Sequence, residues 1–158
     1  MILSDKEITD KVVRGEIGCS PSPIAEQVQP ASLDVRMGQE LYHCEEDRTS
    51  RDGQHRLQPG KRYLGHTKEE IELPNDIAAQ LTGRSTIGRL GVIVHKTAGW
   101  IDPGFEGSVT LELLNMGENP TTLSVGDRVA QLVFFKLGKP SSGYDGKYQG
   151  QQGATRSR

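Results

Sequence analysis

Residues 83–115 read Gly-Arg-Ser-Thr-Ile-Gly-Arg-Leu-Gly-Val-Ile-Val-His-Lys-Thr-Ala-Gly-Trp-Ile-Asp-Pro-Gly-Phe-Glu-Gly-Ser-Val-Thr-Leu-Glu-Leu-Leu-Asn. β-prone runs too short for helices, Val92–Val94 and Val109–Leu114, are separated by glycines and by the turn Asp102-Pro103-Gly104. The same rhythm extends outward. Short strands are predicted at 62–67, 69–73, 77–82, 91–94, 108–114, 121–123 and 128–136, with further turns at Pro74-Asn75, Gly117-Glu118-Asn119-Pro120 and Val125-Gly126-Asp127. Strands of this length and density imply a mainly β fold (a sandwich, barrel or jelly roll) rather than a βαβ arrangement.

Toward the N-terminus, residues 31–38 alternate. Leu33, Val35 and Met37 fall on one face and Ser32, Asp34 and Arg36 on the other, which predicts a half-buried strand. Ser4 and Glu7 have the spacing of a capping box, Leu3 and Ile8 that of a hydrophobic staple, and Gly15 ends the stripe begun by Ile8 and Val12. A short helix over residues 5–14 follows. Residues 18–30, with three prolines and two serines, read as a loop, and 45–58 as an exposed hairpin tip or loop. Residues 138–158 are rich in Gly, Ser and Gln. They suit either a disordered tail or one that orders on a ligand. Neither an internal repeat nor a second domain is evident, so residues 1–158 are expected to form one domain.

The chain has 158 residues, 34% of them hydrophobic, a modest core that points to an oligomer or to half-exposed strands. A net charge of −2 provides no general attraction for nucleic acid or anionic membrane, and neither is expected as a partner. Cys19 and Cys44 lie far apart in no metal-like spacing and read as free thiols in a reducing compartment. The start of the chain has no signal-peptide pattern and no apolar run is long enough to span a bilayer, so a cytoplasmic location is expected.

Several residues can carry chemistry. Arg84 and Arg89 flank Ser85 and Thr86; guanidinium forks, hydroxyls and backbone N–H groups together match phosphate oxygens, although the same residues suit a polar surface turn. No lysine follows the Gly83–Gly88 pair, so the segment is not a P-loop. His95 follows an apolar run and suits a structural role, and Asp102 is an ordinary turn residue. Glu112 shares a strand face with Thr110 and Leu114. A carboxylate so placed should have a raised pKa unless it is paired, as a general acid–base requires. In the tail, Tyr144 could stack on a base and Lys147 could meet a phosphate.

Taken together and in order, Gln29-Pro-Ala-Ser-Leu-Asp-Val-Arg36, the 83–91 segment, His95-Lys-Thr-Ala-Gly-Trp-Ile-Asp-Pro-Gly104, Thr110-Leu-Glu112, Ala130-Gln-Leu132 and Lys147-Tyr-Gln-Gly-Gln151 closely resemble the dCTP deaminases of the dUTPase-like superfamily, nearly end to end. The resemblance implies a distorted β-barrel or jelly roll, a homotrimer with active sites between subunits, and a tail over 138–158 that closes on the nucleotide. It implies hydrolysis of dCTP to dUTP and ammonia, with Mg2+ accompanying the triphosphate and dTTP a candidate inhibitor. By position, Glu112 would be the catalytic acid–base. Ser85 and the carbonyl of Ala98 would hold the attacking water, with Arg89 beside the reacting centre. Arg84, Ser85 and Thr86 would bind the triphosphate, Asp102 would lie at the sugar, and Thr110 and Leu111 would line the base pocket. Gln131, Tyr144, Lys147 and Gln151 would complete the site. Thr86 stands where many members have a second Ser, and the spacing between Tyr144 and Lys147 and the segment 43–58 are shorter than in many relatives.

Zinc deaminases hold their metal with a His or Cys and a Pro-Cys-x-x-Cys pair. This chain has no such pair, and His43, His55, His66 and His95 have no ligand spacing, so a deaminase built on it is expected to activate water without zinc. Three alternatives stand beside it. A bifunctional relative would continue to dUMP, with Asp102 positioning a second water. A plain dUTPase would share Gly99-Trp-Ile-Asp102 and Arg128-Val-Ala-Gln-Leu132 but end in a glycine-rich motif with a stacking Phe, absent here. A non-catalytic nucleotide-binding regulator would have no need of Glu112.

Overall fold

The computed structural model describes residues 1–158. In chain order the elements are α1 (Asp5–Val13), β1 (Gly18–Ser20), a 3-10 turn (Ala25–Gln27), β2 (Val28–Gln29), β3 (Ser32–Arg36), β4 (Leu41–His43), β5 (Arg48–Ser50), β6 (Gln54–Leu57), β7 (Arg62–Glu72), β8 (Ile77–Gly83), α2 (Ser85–Arg89), β9 (Val92–Ile93), β10 (Trp100–Ile101), β11 (Glu106–Asn115), β12 (Thr121–Ser124) and β13 (Arg128–Lys136). One sheet runs β5-β4-β7-β11-β9 with β1 also on β7; a second runs β10-β8-β13-β3-β2; β12 and β6 form a separate pair. All strand pairs are antiparallel. The sheets do not close into a continuous barrel. Of the two expected shapes, the fold takes the distorted jelly roll.

The core lies between the two larger sheets. Leu33 and Val35 of β3, Leu81 of β8, Leu111 and Leu113 of β11, and Leu132 and Phe134 of β13 are fully buried there. Alternate residues of each strand point to opposite faces, so these positions follow from period-2 patterning. The helix begins as its sequence requires: the Glu7 N–H donates to Ser4 Oγ at 3.4 Å and the Ser4 N–H to Glu7 Oε2 at 2.8 Å. Leu3 and Ile8 anchor it in the core, and Gly15 beyond its end has φ +70°.

Several elements differ from expectation. The predicted strands 62–67 and 69–73 are one strand, β7, whose buried face carries Tyr63, Gly65, Thr67, Glu69 and Ile71; Gly, Thr and Glu there conceal the alternation. The 18–30 loop contains β1, a 3-10 turn and β2. The 45–58 segment is an exposed hairpin tip only at its start. Its end, β6, pairs with β12 and buries His55 and Leu57. The polar turn at 83–89 is the short helix α2. Strand β3 is buried on both faces, because Ser32 and Asp34 find partners that pay for their desolvation: Ser32 Oγ donates to Gln131 Oε1 at 2.9 Å, and Asp34 Oδ2 lies 2.8 Å from Arg84 Nε.

One carboxylate ties the two sheets together. Glu69 of β7 is fully buried. It accepts the Arg36 N–H at 2.8 Å, Arg36 Nε at 2.6 Å and Gln27 Nε2 at 3.0 Å, all from the β3 side of the molecule. Removing it would leave the Arg36 guanidinium and the Gln27 amide without a counterpart. Glu69→Ala is expected to cost about 3–5 kcal/mol in urea unfolding, the usual result of breaking one side of a buried pair. Glu118→Ala, at an exposed turn, should stay within about 0.5 kcal/mol. A Glu69→Ala loss as small as that of Glu118→Ala would contradict this role.

Candidate active site

Strand β11 and the segment that folds back over it build the site. An irregularity in the β11–β7 ladder falls between Ser108 and Thr110. There Thr67 Oγ1, itself donating to the Glu69 carbonyl at 2.6 Å, accepts the Val109 N–H at 2.9 Å. Beyond it Thr110 pairs opposite His66 and Glu112 opposite Leu64, so both lie on the half-buried face of β11 while Leu111 and Leu113 face the core. Residues 95–99 run back across this face. Gly99 fits against β8 only because it lacks a side chain: Leu81 N–H donates to the Gly99 carbonyl at 2.7 Å, and a Cβ at Gly99 would stand 2.8 Å from the Leu81 oxygen.

This return brings two backbone donors onto one carboxylate oxygen. Glu112 Oε2 accepts the N–H of Lys96 at 2.8 Å and of Thr97 at 3.1 Å. Burial pushes the Glu112 carboxyl up, but the N–H groups of Thr97, Lys96 and Ala98, with His95 nearby, outweigh it and hold its pKa below the ordinary 4.5. The raised value expected for an unpaired carboxylate is therefore not found, because the carboxylate is paired with the backbone. A group lowered on folding stabilises the fold above its unfolded pKa, and that contribution is lost as pH falls through the folded value. Near neutral pH Glu112 is a carboxylate, the form in which it can accept a proton.

Glu112 borders an open cavity of about 480 Å³, a size suited to a small organic ligand. Thr110, Ala98 and Asp102 share the wall with Glu112, while Ile101, Phe105 and Val109 supply apolar surface. The Thr110 hydroxyl is buried and has no hydrogen-bond partner within the chain. Asp102 is exposed and its Oδ1 accepts Trp100 Nε1 at 3.2 Å. On the far side of Glu112 a second cavity of about 270 Å³ is lined by Cys44, Arg62 and Lys96.

The tail is ordered against the barrel-like body. The Tyr144 ring lies 6.1 Å from that of Phe105, tilted at 53°, and lines the cavity. Gln151 is buried: the Ser108 N–H donates to its carbonyl at 3.0 Å and its Nε2 to the Ser108 carbonyl at 2.9 Å. Gly107, at φ +132°, admits this approach, since a Cβ there would stand 2.5 Å from the Gln151 oxygen. Tyr148, Thr155, Arg156 and Ser157 complete the outer wall. Lys147 is exposed, its Nζ 5.1 Å from the Tyr148 ring and donating to the Arg158 carbonyl at 2.8 Å.

The remaining residues lie elsewhere. Ser85, Thr86 and Arg89 are exposed on α2, outside both cavities that Glu112 borders. Arg84 is held by Asp34 and donates from Nη1 to the Arg128 carbonyl at 2.9 Å. Gln131 lies between Ser32 and the Gly83 carbonyl, to which its Nε2 donates at 3.2 Å. The Leu111 side chain is fully buried in the core and does not line the cavity. Tyr148 falls within the tail motif read from sequence, whereas Trp100, Phe105 and the 155–157 segment were missed. Of these, Trp100 left a signal, two residues before Asp102 at the turn that follows β10.

Comparison with known proteins fits this arrangement. Residues 2–137 match the dCTP deaminase-like family. The chain is 41% identical to a protein of Kocuria rhizophila named dCTP deaminase, dUMP-forming, over all of this chain and 94% of that protein. It is 42% identical to one of the same name from Halobacterium salinarum, and 39% identical to a dCTP deaminase of Natronomonas pharaonis, each again over all of this chain and 94% of the relative. In fold it resembles a 2'-deoxycytidine 5'-triphosphate deaminase of Agrobacterium tumefaciens, with a TM-score of 0.72 and 24% identity over 84% of this chain; the match spans about half of that protein, 47%. It also resembles the dUTPase of EIAV, with a TM-score of 0.58 and 16% identity over 84% of this chain and 98% of that one. By the match over residues 2–137 and by relatives of near 40% identity across its whole length, the chain belongs to the dCTP deaminase-like family.

Proposed function

We propose that the protein hydrolyses the 4-amino group of dCTP, giving dUTP and ammonia, with Glu112 as the general acid–base and no zinc. The observation that carries this reading is the Glu112 carboxylate, held ionised by backbone N–H groups at the edge of a cavity that also contains an unpartnered Thr110 hydroxyl. The carboxylate takes a proton from water as hydroxide adds to C4, and delivers that proton to the ring nitrogen N3. Glu112 then passes the proton of the new C4 hydroxyl to the amine, and collapse of the tetrahedral adduct to the C4 carbonyl breaks the C4–N bond and releases ammonia, so that one water is consumed for each amine lost. Ser85 and the Ala98 carbonyl hold the water, Arg89 lies beside the reacting centre, and Thr110 meets the base.

Ser85 and Arg89 lie outside the cavities that Glu112 borders, so a complete site requires a second copy of the chain. The surface around α2 suits such a contact. Leu90 and Met116 are apolar and half or more exposed, and the Met116 N–H donates to the Gly91 carbonyl at 2.7 Å, so they flank the same turn. We take the assembly to be a trimer, with Arg84, Thr86, Gln131 and Lys147 serving the triphosphate. No group of three or more His, Cys, Asp or Glu side chains is placed to hold a metal. Mg2+ would accompany the triphosphate and neutralise part of its charge.

A second reading, release of dUMP and diphosphate after deamination, is favoured by two relatives named dUMP-forming. It would use Asp102, fixed by Trp100 at the cavity rim, to direct a second water. Incubation with dCTP and Mg2+, with dUTP and dUMP resolved by chromatography and ammonia measured in parallel, tests both. Ammonia with dUTP supports the first reading, ammonia with dUMP and no free dUTP the second, and absence of ammonia overturns both. Glu112→Gln should lower kcat about 10²–10⁴-fold without changing the assembly; near-normal turnover would sink the mechanism. Co-expressing Glu112→Gln with Arg89→Ala, each inactive alone, should restore part of the activity through mixed assemblies. No restoration would mean that the site does not form between copies.

A further inference from the structure

The last residues of the chain reach the cavity although little in their own composition would keep them there. Residues 153–157 are Gly, Ala, Thr, Arg and Ser, with almost no apolar surface to bury, and ordering such a segment costs entropy at every residue. The pairing of Gln151 with Ser108 fixes the chain up to that point and no further. Beyond it, Lys147 holds the end of the chain, with Lys147 Nζ donating to the Arg158 carbonyl at 2.8 Å and Arg158 Nη1 to the Lys147 carbonyl at 3.0 Å, and the hairpin of β4 and β5 holds residues 153–156. Glu40 Oε2 accepts the Ala154 N–H at 3.2 Å, and a Cβ on Gly153 would overlap the same carboxylate. Arg51 pairs with the other Glu40 oxygen and holds it in place. At the hairpin tip Arg156 Nη1 donates to Asp47 Oδ1 at 3.1 Å while its guanidinium lies 5.1 Å from the centre of the Tyr42 ring. The Tyr42 hydroxyl donates to that same Asp47 oxygen at 2.8 Å. Asp47 adopts φ +47°, a left-handed turn conformation that Asp tolerates, and this presents its carboxylate to the tail.

We propose that Glu40, Tyr42 and Asp47 are positioning residues, and that the β4–β5 hairpin is a clamp holding residues 153–157 as the outer wall of the nucleotide cavity. The proposal rests on the reading of that cavity as the dCTP site. It assigns a use to a hairpin whose own residues do not line that cavity. The clamp is built from an exposed ion pair, a cation–π contact and one carboxylate–amide bond, each weak alone. It can therefore open for nucleotide to come and go. Its two halves are distinct: Glu40 fixes the backbone at Ala154, and the Tyr42–Asp47 pair fixes the side chain of Arg156, one of the residues facing the cavity.

The test has two arms on the full chain. In the first, hydrogen exchange of the nucleotide-free protein is followed for peptides covering 149–158 in the wild type, in Asp47→Ala and in Tyr42→Ala/Asp47→Ala. Exchange at 153–157 should be roughly five- to twenty-fold faster in the double variant, the change expected when an ion pair and a cation–π contact go together, with a smaller change in the single variant. Protection of Gln151, set by Ser108, should be unchanged. The charge swap Asp47→Arg with Arg156→Asp should restore protection. In the second arm, KM for dCTP should rise by a similar factor while kcat stays within about twofold, because the clamp acts on binding rather than on the proton transfer. Unchanged exchange in both variants overturns the clamp even if dCTP is turned over normally. Faster exchange with an unaltered KM overturns the positioning role. If dCTP is not a substrate at all, the exchange arm still reads the clamp by itself, so the two readings fail separately.

Discussion

The site depends on a carboxylate that is kept charged by the backbone rather than by a cation. Glu112 accepts two N–H groups from residues 96 and 97, and those donors are there because residues 95–99 fold back between β9 and β10. Gly99 makes the return possible by lying flat against β8. The arrangement gives an ionised group at the edge of the cavity, held by backbone N–H groups. Backbone amides favour the anion from fixed positions and need no reorganisation when the proton arrives.

The fold supports this by rigid connection. Strand β11 carries Thr110 and Glu112 through the centre of the six-stranded sheet, and Glu69 on the adjoining β7 ties that sheet to β3. Asp34 on β3 in turn holds Arg84 at the head of α2. Burial pushes the Asp34 carboxyl up, and Arg84 and Arg128 only partly offset it, so the two guanidiniums are needed there to keep the charge tolerable. Arg84 is thus a structural residue in the isolated chain, tied to Asp34 and to the Arg128 carbonyl. The other α2 residues, Ser85, Thr86 and Arg89, are exposed and unengaged by the cavity of their own chain.

Much of this was legible in the sequence where chemistry and pattern coincide. The N-terminal helix with its Ser4–Glu7 box, the core face of β11 and the placement of Glu112 opposite Leu111 and Leu113 all follow from spacing. What was hidden shares a cause. On β7 and β6 the buried face is occupied by Gly65, Thr67, Glu69 and His55, polar or small residues whose burial depends on partners far away in sequence. Period-2 reading counts apolar residues and passes over these. The lowered pKa of Glu112 was hidden for the same reason: a strand-face carboxylate between apolar neighbours looks unpaired until the 95–99 return is seen. Short elements such as α2 and β10, of five and two residues, carry too little pattern to be read alone. The tail has no periodicity at all, and only its contacts with Ser108, Phe105 and the β4–β5 hairpin show that it forms a wall.

The central claim is that Glu112 waits as a carboxylate, held in that state by the 96–98 amides, and is not a buried carboxylic acid. A carboxyl-carbon NMR titration of the nucleotide-free protein, with the signal assigned by its disappearance in Glu112→Gln, measures this directly. The account predicts a midpoint below the ordinary 4.5. A midpoint above about 6, in the range of a carboxyl buried without charge-stabilising donors, would contradict it.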